Sequence, residues 1–118
     1  MAFSEQTEKL VNELIQAEYK NACEKFGEKY NSLHEGYAVL LEEVEEVKEQ
    51  TKNLRLTKFI WNEIKKDHKD LLYKLLELME KGVICAIKEL AQVGAALMKI
   101  KNTFGKDTNV VTNDEVEE

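Results

Sequence analysis

The chain has no proline and only five glycines, so the residues that most often stop a helix are nearly missing. Cysteine is scarce as well. Cys23 and Cys85 stand far apart, each inside an apolar helical pattern, with none of the CxxC or Cys–His spacing of a zinc site. They read as buried free thiols, in keeping with a reducing compartment. No apolar run reaches membrane-spanning length and no signal-peptide pattern opens the chain, so the expectation is a soluble, cytoplasmic protein without a membrane partner. A basic excess is also missing. The formal net charge is −6, and Asp107, Asp114, Glu115, Glu117 and Glu118 at the C-terminal end supply most of it, leaving a body close to neutral. Such a body lacks the basic face that duplex nucleic acid requires. Phosphate-bearing small molecules need only a few local Lys or Arg and stay open. There is no Gly-rich phosphate loop and no Ser-His-Asp or Cys-His arrangement, so hydrolases and kinases built on those parts fit poorly.

What the chain does have is Glu, Lys and Leu, whose straight side chains lose little rotamer freedom in a helix. A length of 118 residues suits one domain with a modest core. We expect an all-α domain over residues 1–105 and an acidic, disordered tail over 106–118. Phe3-Ser4 precedes a first helix with an apolar face of Val11, Leu14, Ile15, Ala22, Phe26 and Tyr30, stopping near Asn31. In "SLHE", Ser32 and Glu35 form a capping box. It opens a second helix from Leu33 to about Asn53, with the stripe Leu33, Tyr37, Leu40, Leu41, Val44 and Val47. From Leu56 the apolar period continues to Ile100. Unbroken, such a helix would be on the order of 65 Å long, more than the rest of the chain could cover. Either it breaks or kinks near Gly82, the preferred reading, or a second subunit covers the excess. The expected architecture is a bundle of three to four helices, one of them long or kinked near Gly82.

The second helix carries a dense acidic run, Glu42, Glu43, Glu45, Glu46 and Glu49, within "LLEEVEEVKEQ". At about 100° per residue, Glu45 and Glu49 point away from the apolar stripe. Glu43 lies on its shoulder with Glu46 one turn on, and Glu42 sits beside Glu46. In "CAIKELAQVGAAL" the buried side is Ala86, Leu90, Val93, Leu97 and Ile100, and Glu89 and Gln92 form a second i, i+3 pair on one shoulder. Two antiparallel helices packed by their stripes would bring the two shoulders together, and four oxygen-bearing side chains would face one cleft. Hard cations take such ligands and bridge carboxylates to phosphate oxygens. The plainer alternative is a solvated acidic face, since exposed Glu neighbours repel by only a few tenths of a kcal/mol.

"HEGYAVLLEEVEEV" followed by "KELAQVGAAL" resembles the MazG-like all-α nucleoside triphosphate pyrophosphohydrolases, especially the short phage-type members. The EExxE motif of that family matches Glu42, Glu43 and Glu46. Its ExxD motif falls on Glu89, Gln92 and Val93, with Gln in place of Asp. The likeness covers roughly residues 30 to 101. It implies a usually dimeric helical fold that binds a nucleotide through Mg²⁺, with Mn²⁺ as the alternative ion, and cleaves a triphosphate to a monophosphate and pyrophosphate. On that picture Glu43, Glu46, Glu89 and Gln92 hold metal, and Glu42 is a further ligand or the base that orients water. Gln92 brings an oxygen but no charge, which weakens metal affinity and puts hydrolysis in question. The segment between Glu46 and Glu89 is longer than the family pattern and adds nearly a whole helix.

That insert offers Trp61 as a stacking surface for a base, with Arg55 or Lys58 on phosphates; its bland reading is an aromatic at an interface. His34, in the first turn of the second helix, either contacts the nucleotide or is a polar residue beside a cap. His68 faces the same way as Leu71 and reads as structural. Three functional readings follow. The first is a metal-dependent nucleotide pyrophosphohydrolase. The second is an inactive MazG-like binder that sequesters a nucleotide or nucleotide-derived signal, as a phage could use against host defence. The third is an interaction module whose apolar stripe serves only to dimerise.

Overall fold

The computed structural model describes residues 4–105. Among them every element is helical: α1 (Glu5–Phe26), α2 (Leu33–Gln50), a 3₁₀ turn (Thr51–Leu56), α3 (Thr57–Lys66) and α4 (Lys69–Phe104). The all-α expectation holds. The expected disordered tail, 106–118, lies outside the described residues. The chain divides into two compact units, with boundaries inside α2 and α4. One takes the described residues up to Glu42 and those from Ala91 on; the other is Glu43–Leu90.

In the first of these units, the Ser4 hydroxyl caps α1 by accepting from the Thr7 N–H at 3.1 Å. The helix stops at Phe26, short of the expected Asn31, because Gly27 turns the chain at φ 89°. Tyr30 therefore belongs to the connection rather than to the face of α1. Its N–H donates to Thr103 Oγ1 at 3.2 Å, and the Thr103 hydroxyl donates to the Lys99 carbonyl at 2.7 Å. The capping box before α2 is half formed. The Glu35 N–H donates to Ser32 Oγ at 3.1 Å, but the Glu35 carboxylate accepts from the Asn31 N–H and side-chain amide instead of from Ser32.

In the second unit, the end of α2 tightens into the 3₁₀ turn at Thr51, a common way for a helix to close its last carbonyls. α3 ends at Asp67, which adopts the left-handed conformation with φ 57°. The Asp67 and His68 N–H groups close on the Ile64 and Glu63 carbonyls. The interruption that the sequence suggested near Gly82 is thus at Asp67, and α4 runs 36 residues straight through Gly82. Close approach explains the glycine: a Cβ at position 82 would lie 3.0 Å from Asn53 Cβ and 3.2 Å from its Nδ2. Gly82 admits the 3₁₀ turn to the surface of α4 and does not end the helix. His68, expected to face inward, is exposed; the buried member of its contact is Glu63, whose side chain is 11% exposed and whose carboxylate lies 2.9 Å from His68 Nδ1.

Small residues make most of the core. Among the described residues the buried hydrophobic ones are Tyr30, Ala86, Ala91, Ala95 and Ala96. Leu90 and Leu97, expected on the buried side of α4, are exposed, as are Leu76 and Val83. These four recur at intervals of seven along α4 and so share one face of the helix, while alanine takes the close contacts. The half-buried Cys23 and Cys85 are both free. If Gly82 is a contact position, Gly82→Leu should retain the helical circular dichroism signal yet cost about 1–3 kcal/mol in urea unfolding through overpacking. An unchanged midpoint would show that Asn53 does not pack there.

Candidate metal centre

Glu43 and Glu46 stand one turn apart on α2, and Glu89 comes from α4. All three belong to the Glu43–Leu90 unit. Each offers one carboxylate oxygen, and these oxygens lie within 4.8 Å of one another. The i, i+3 spacing on α2 fixes two of them on one helix edge. Glu89 follows three residues after the buried Ala86 on α4, so its side chain emerges at the border of a packed face.

Glu43 and Glu89 are half-buried. Glu89 Oε2 is shielded from solvent and accepts no hydrogen bond from an N–H or hydroxyl. Its neighbour is another carboxylate. The hydrogen bond with Glu46, burial and the Glu46 charge, in that order, hold the Glu89 carboxyl above its ordinary value. Carboxylates placed this close repel when both are ionised, so a proton is held more readily at Glu89 than on an isolated carboxyl. A cation would serve the same electrostatic need: three oxygen donors of formal negative charge, one of them shielded and undersupplied with hydrogen bonds, suit a hard divalent ion.

The other residues singled out in the sequence lie elsewhere. Glu42 is exposed on α2 and is not part of the trio. Gln92 is exposed on α4 and, like Glu42, belongs to the other unit. His34 is exposed in the first turn of α2. Arg55 is exposed in the 3₁₀ turn, and Lys58 and Trp61 are exposed on α3. The Trp61 ring already carries a cation, with Lys65 Nζ 5.7 Å from its centroid. Two polar contacts went unread in the sequence. The Glu63–His68 pair spans the unpredicted stop at Asp67, and buried Lys99 packs on Tyr30. Neither carries a local signal, since each depends on where a turn places its partner.

Comparison of the chain with protein-family models, with curated proteins and with solved structures gives no match.

A raised carboxyl favours the protonated native state, so its stabilising contribution is present at low pH and is lost as pH rises through the folded-state value. At neutral pH and without metal, ionised Glu89 therefore opposes folding, and Glu89→Gln should raise the melting temperature by about 2–5 °C. The gain should shrink as pH falls towards the ordinary carboxylate value near ~4.3. A melting temperature lowered by the substitution at neutral pH would contradict a crowded acidic site.

Proposed function

We propose that this chain is a MazG-like, divalent-metal-dependent nucleotide-binding protein that converts a nucleoside triphosphate to its monophosphate and pyrophosphate. The observation that carries this reading is the convergence of Glu43, Glu46 and Glu89 from α2 and α4, which joins the two acidic motifs on which the resemblance rests. In the proposal these three hold the ion, and all-oxygen donors favour Mg²⁺, with Mn²⁺ as the alternative. When bound, the ion supplies Lewis-acid polarisation of phosphoryl oxygens.

The protein groups have separate tasks in this reading. Glu42, next to Glu43 in sequence, is assigned to a water molecule, as the base that orients it, or to a further metal contact. Gln92 contributes an uncharged amide oxygen. Trp61 offers an exposed ring face to a base, while Arg55 and Lys58, which make no ion pair among the described residues, are free to meet phosphate. His34 is assigned to nucleotide contact from the first turn of α2. The partner that covers the exposed face of Leu76, Val83, Leu90 and Leu97 is a second copy of the chain, because apolar residues at seven-residue intervals suit helix-to-helix pairing.

Gln92 favours a second reading. The amide lowers the negative charge available to a metal, and a protein that binds the nucleotide while losing turnover would sequester it.

A nucleoside triphosphate panel with Mg²⁺ separates the two. Hydrolysis predicts pyrophosphate release that falls about 100-fold or more in Glu43→Ala. Sequestration predicts a rise in melting temperature with the nucleotide returned intact. Neither effect with any nucleotide would remove both readings. For the assembly, light scattering should give twice the 13.7 kDa chain mass, and the double substitution Val83→Glu, Leu90→Glu should yield monomer. A wild-type protein running at the chain mass would end the self-association proposal.

A further inference from the structure

On α3 the acid is turned inward and the bases outward. The one buried residue of the helix is Glu63, whose carboxylate lies 2.9 Å from His68 Nδ1. Ile60, three residues earlier, is half-buried, as is Leu56 just before the helix. At about 100° per residue these three mark the inner side. Lys58, Trp61, Asn62 and Lys65 are exposed and fall opposite them, within an arc of about 100°. The spacing of Lys58, Trp61 and Lys65, i, i+3 and i+7, makes them neighbours along one row.

That row is positive and unrelieved. Glu63 is the only acid in α3, and among the described residues no carboxylate pairs with Arg55, Lys58 or Lys65. Lys48 and Lys52, a little earlier in the chain, each meet a Glu instead. Such a row stands out in a chain of net charge −6. Trp61, the single Trp of the chain, is 60% exposed in the middle of it, although a ring of that size is ordinarily well covered. Lys65 Nζ stands 5.7 Å from the ring centroid. Lys58 and Lys65 are separated by about 10 Å of helix, with the ring between them. Arg55, exposed in the 3₁₀ turn, comes three residues before Lys58.

We propose that the outer row of α3, Lys58, Trp61 and Lys65 with Arg55 at its head, is a docking surface for single-stranded nucleic acid. Cations on either side of an open aromatic ring match the repeat of a strand, phosphate then base then phosphate, and every base has a face to stack. A mononucleotide with one phosphate engages only part of the row. An acidic peptide would meet the cations but leave the ring without a role. A lipid surface would call on the exposed Phe59 and Ile64, yet helical spacing sets these about 110° to either side of the row. All the residues lie in the Glu43–Leu90 unit. The inference goes beyond the substrate contacts assigned above and does not rest on the carboxylate trio or on hydrolysis.

The test uses the full chain in a chelator, so that its result is independent of the metal-dependent reading. Oligothymidylates from the dimer upwards, thymidine monophosphate, polyglutamate and phosphatidylserine vesicles are titrated at low salt while Trp61 fluorescence is followed. The strands should quench it, with affinity rising with length and about tenfold or more above that of the monophosphate. By anisotropy of a labelled strand, the double substitution Lys58→Ala, Lys65→Ala should lower the slope of log affinity against log salt by about 1.4, at ~0.7 per phosphate contact. Trp61→Ala should weaken binding about tenfold or more, and Phe59→Ala should leave it nearly unchanged. The helical circular dichroism signal should persist in each variant, because every substituted side chain is exposed. Absence of quenching by any strand overturns the proposal. So does equal affinity for the monophosphate, a response to polyglutamate or vesicles as large as to the strands, or strand binding untouched by the lysine pair or by Trp61→Ala.

Discussion

Three carboxylates within 4.8 Å of one another, two of them half-buried, set the central constraint on this protein. Like charges at that distance and degree of burial repel, and the repulsion disfavours the ionised form. The crowding raises the Glu89 carboxyl, and either a proton or a cation would relieve it. A helix face with solvated Glu residues faces no such choice, because water screens each charge separately. Glu45 and Glu49 illustrate the contrast on the same helix. They reach exposed Lys48 and Lys52 three residues on, at 3.4 and 2.7 Å, and such surface pairs contribute little. One acidic run thus has two fates, decided by the face each Glu occupies.

The convergence depends on α4 being continuous. A helix that ended at Gly82 would have freed the segment carrying Glu89 from the segment beside the 3₁₀ turn. Instead the chain breaks at Asp67, where the left-handed residue lets α3 end and α4 begin two residues later. Gly82 admits Asn53 without a side chain to hold it off. Glycine inside a helix loses about 1 kcal/mol of propensity relative to alanine, and here the close approach of the 3₁₀ turn offsets it.

These particulars show what the sequence made legible. Helix identity, the Ser32 cap on the Glu35 N–H and the shared edge of Glu43 and Glu46 follow from short-range rules, namely period, cap chemistry and i, i+3 spacing; the meeting of that edge with Glu89 was expected only if the two helices packed by their apolar stripes. The stop at Asp67 did not follow, because Asp carries no strong left-handed preference and nothing in "KKDHKD" outranks a glycine as a helix terminator. The sense of burial on α4 also escaped. Periodicity places Ala86, Leu90 and Leu97 on one apolar side, but it cannot say whether the large or the small residues of that side meet a neighbour. In this chain the small ones do. Lys99 was illegible for a related reason: its burial comes from Tyr30, which lies 69 residues earlier in the chain and on the connection after Gly27, not on the α1 face where its spacing seemed to put it.

The alanine core has an energetic consequence. Burying an alanine removes far less apolar surface from water than burying a leucine, at roughly 25 cal/mol per Å². The large side chains that could add to stability, Leu76, Val83, Leu90 and Leu97 among them, remain exposed. Ordering the backbone of each residue meanwhile costs about 1–2 kcal/mol. A chain so organised leaves large apolar side chains of α4 in contact with water. Under the self-association proposal, covering the outer face of α4 would link folding to association. The same linkage would bear on the acidic trio, since anything that steadies α4 also steadies Glu89 against its two neighbours on α2.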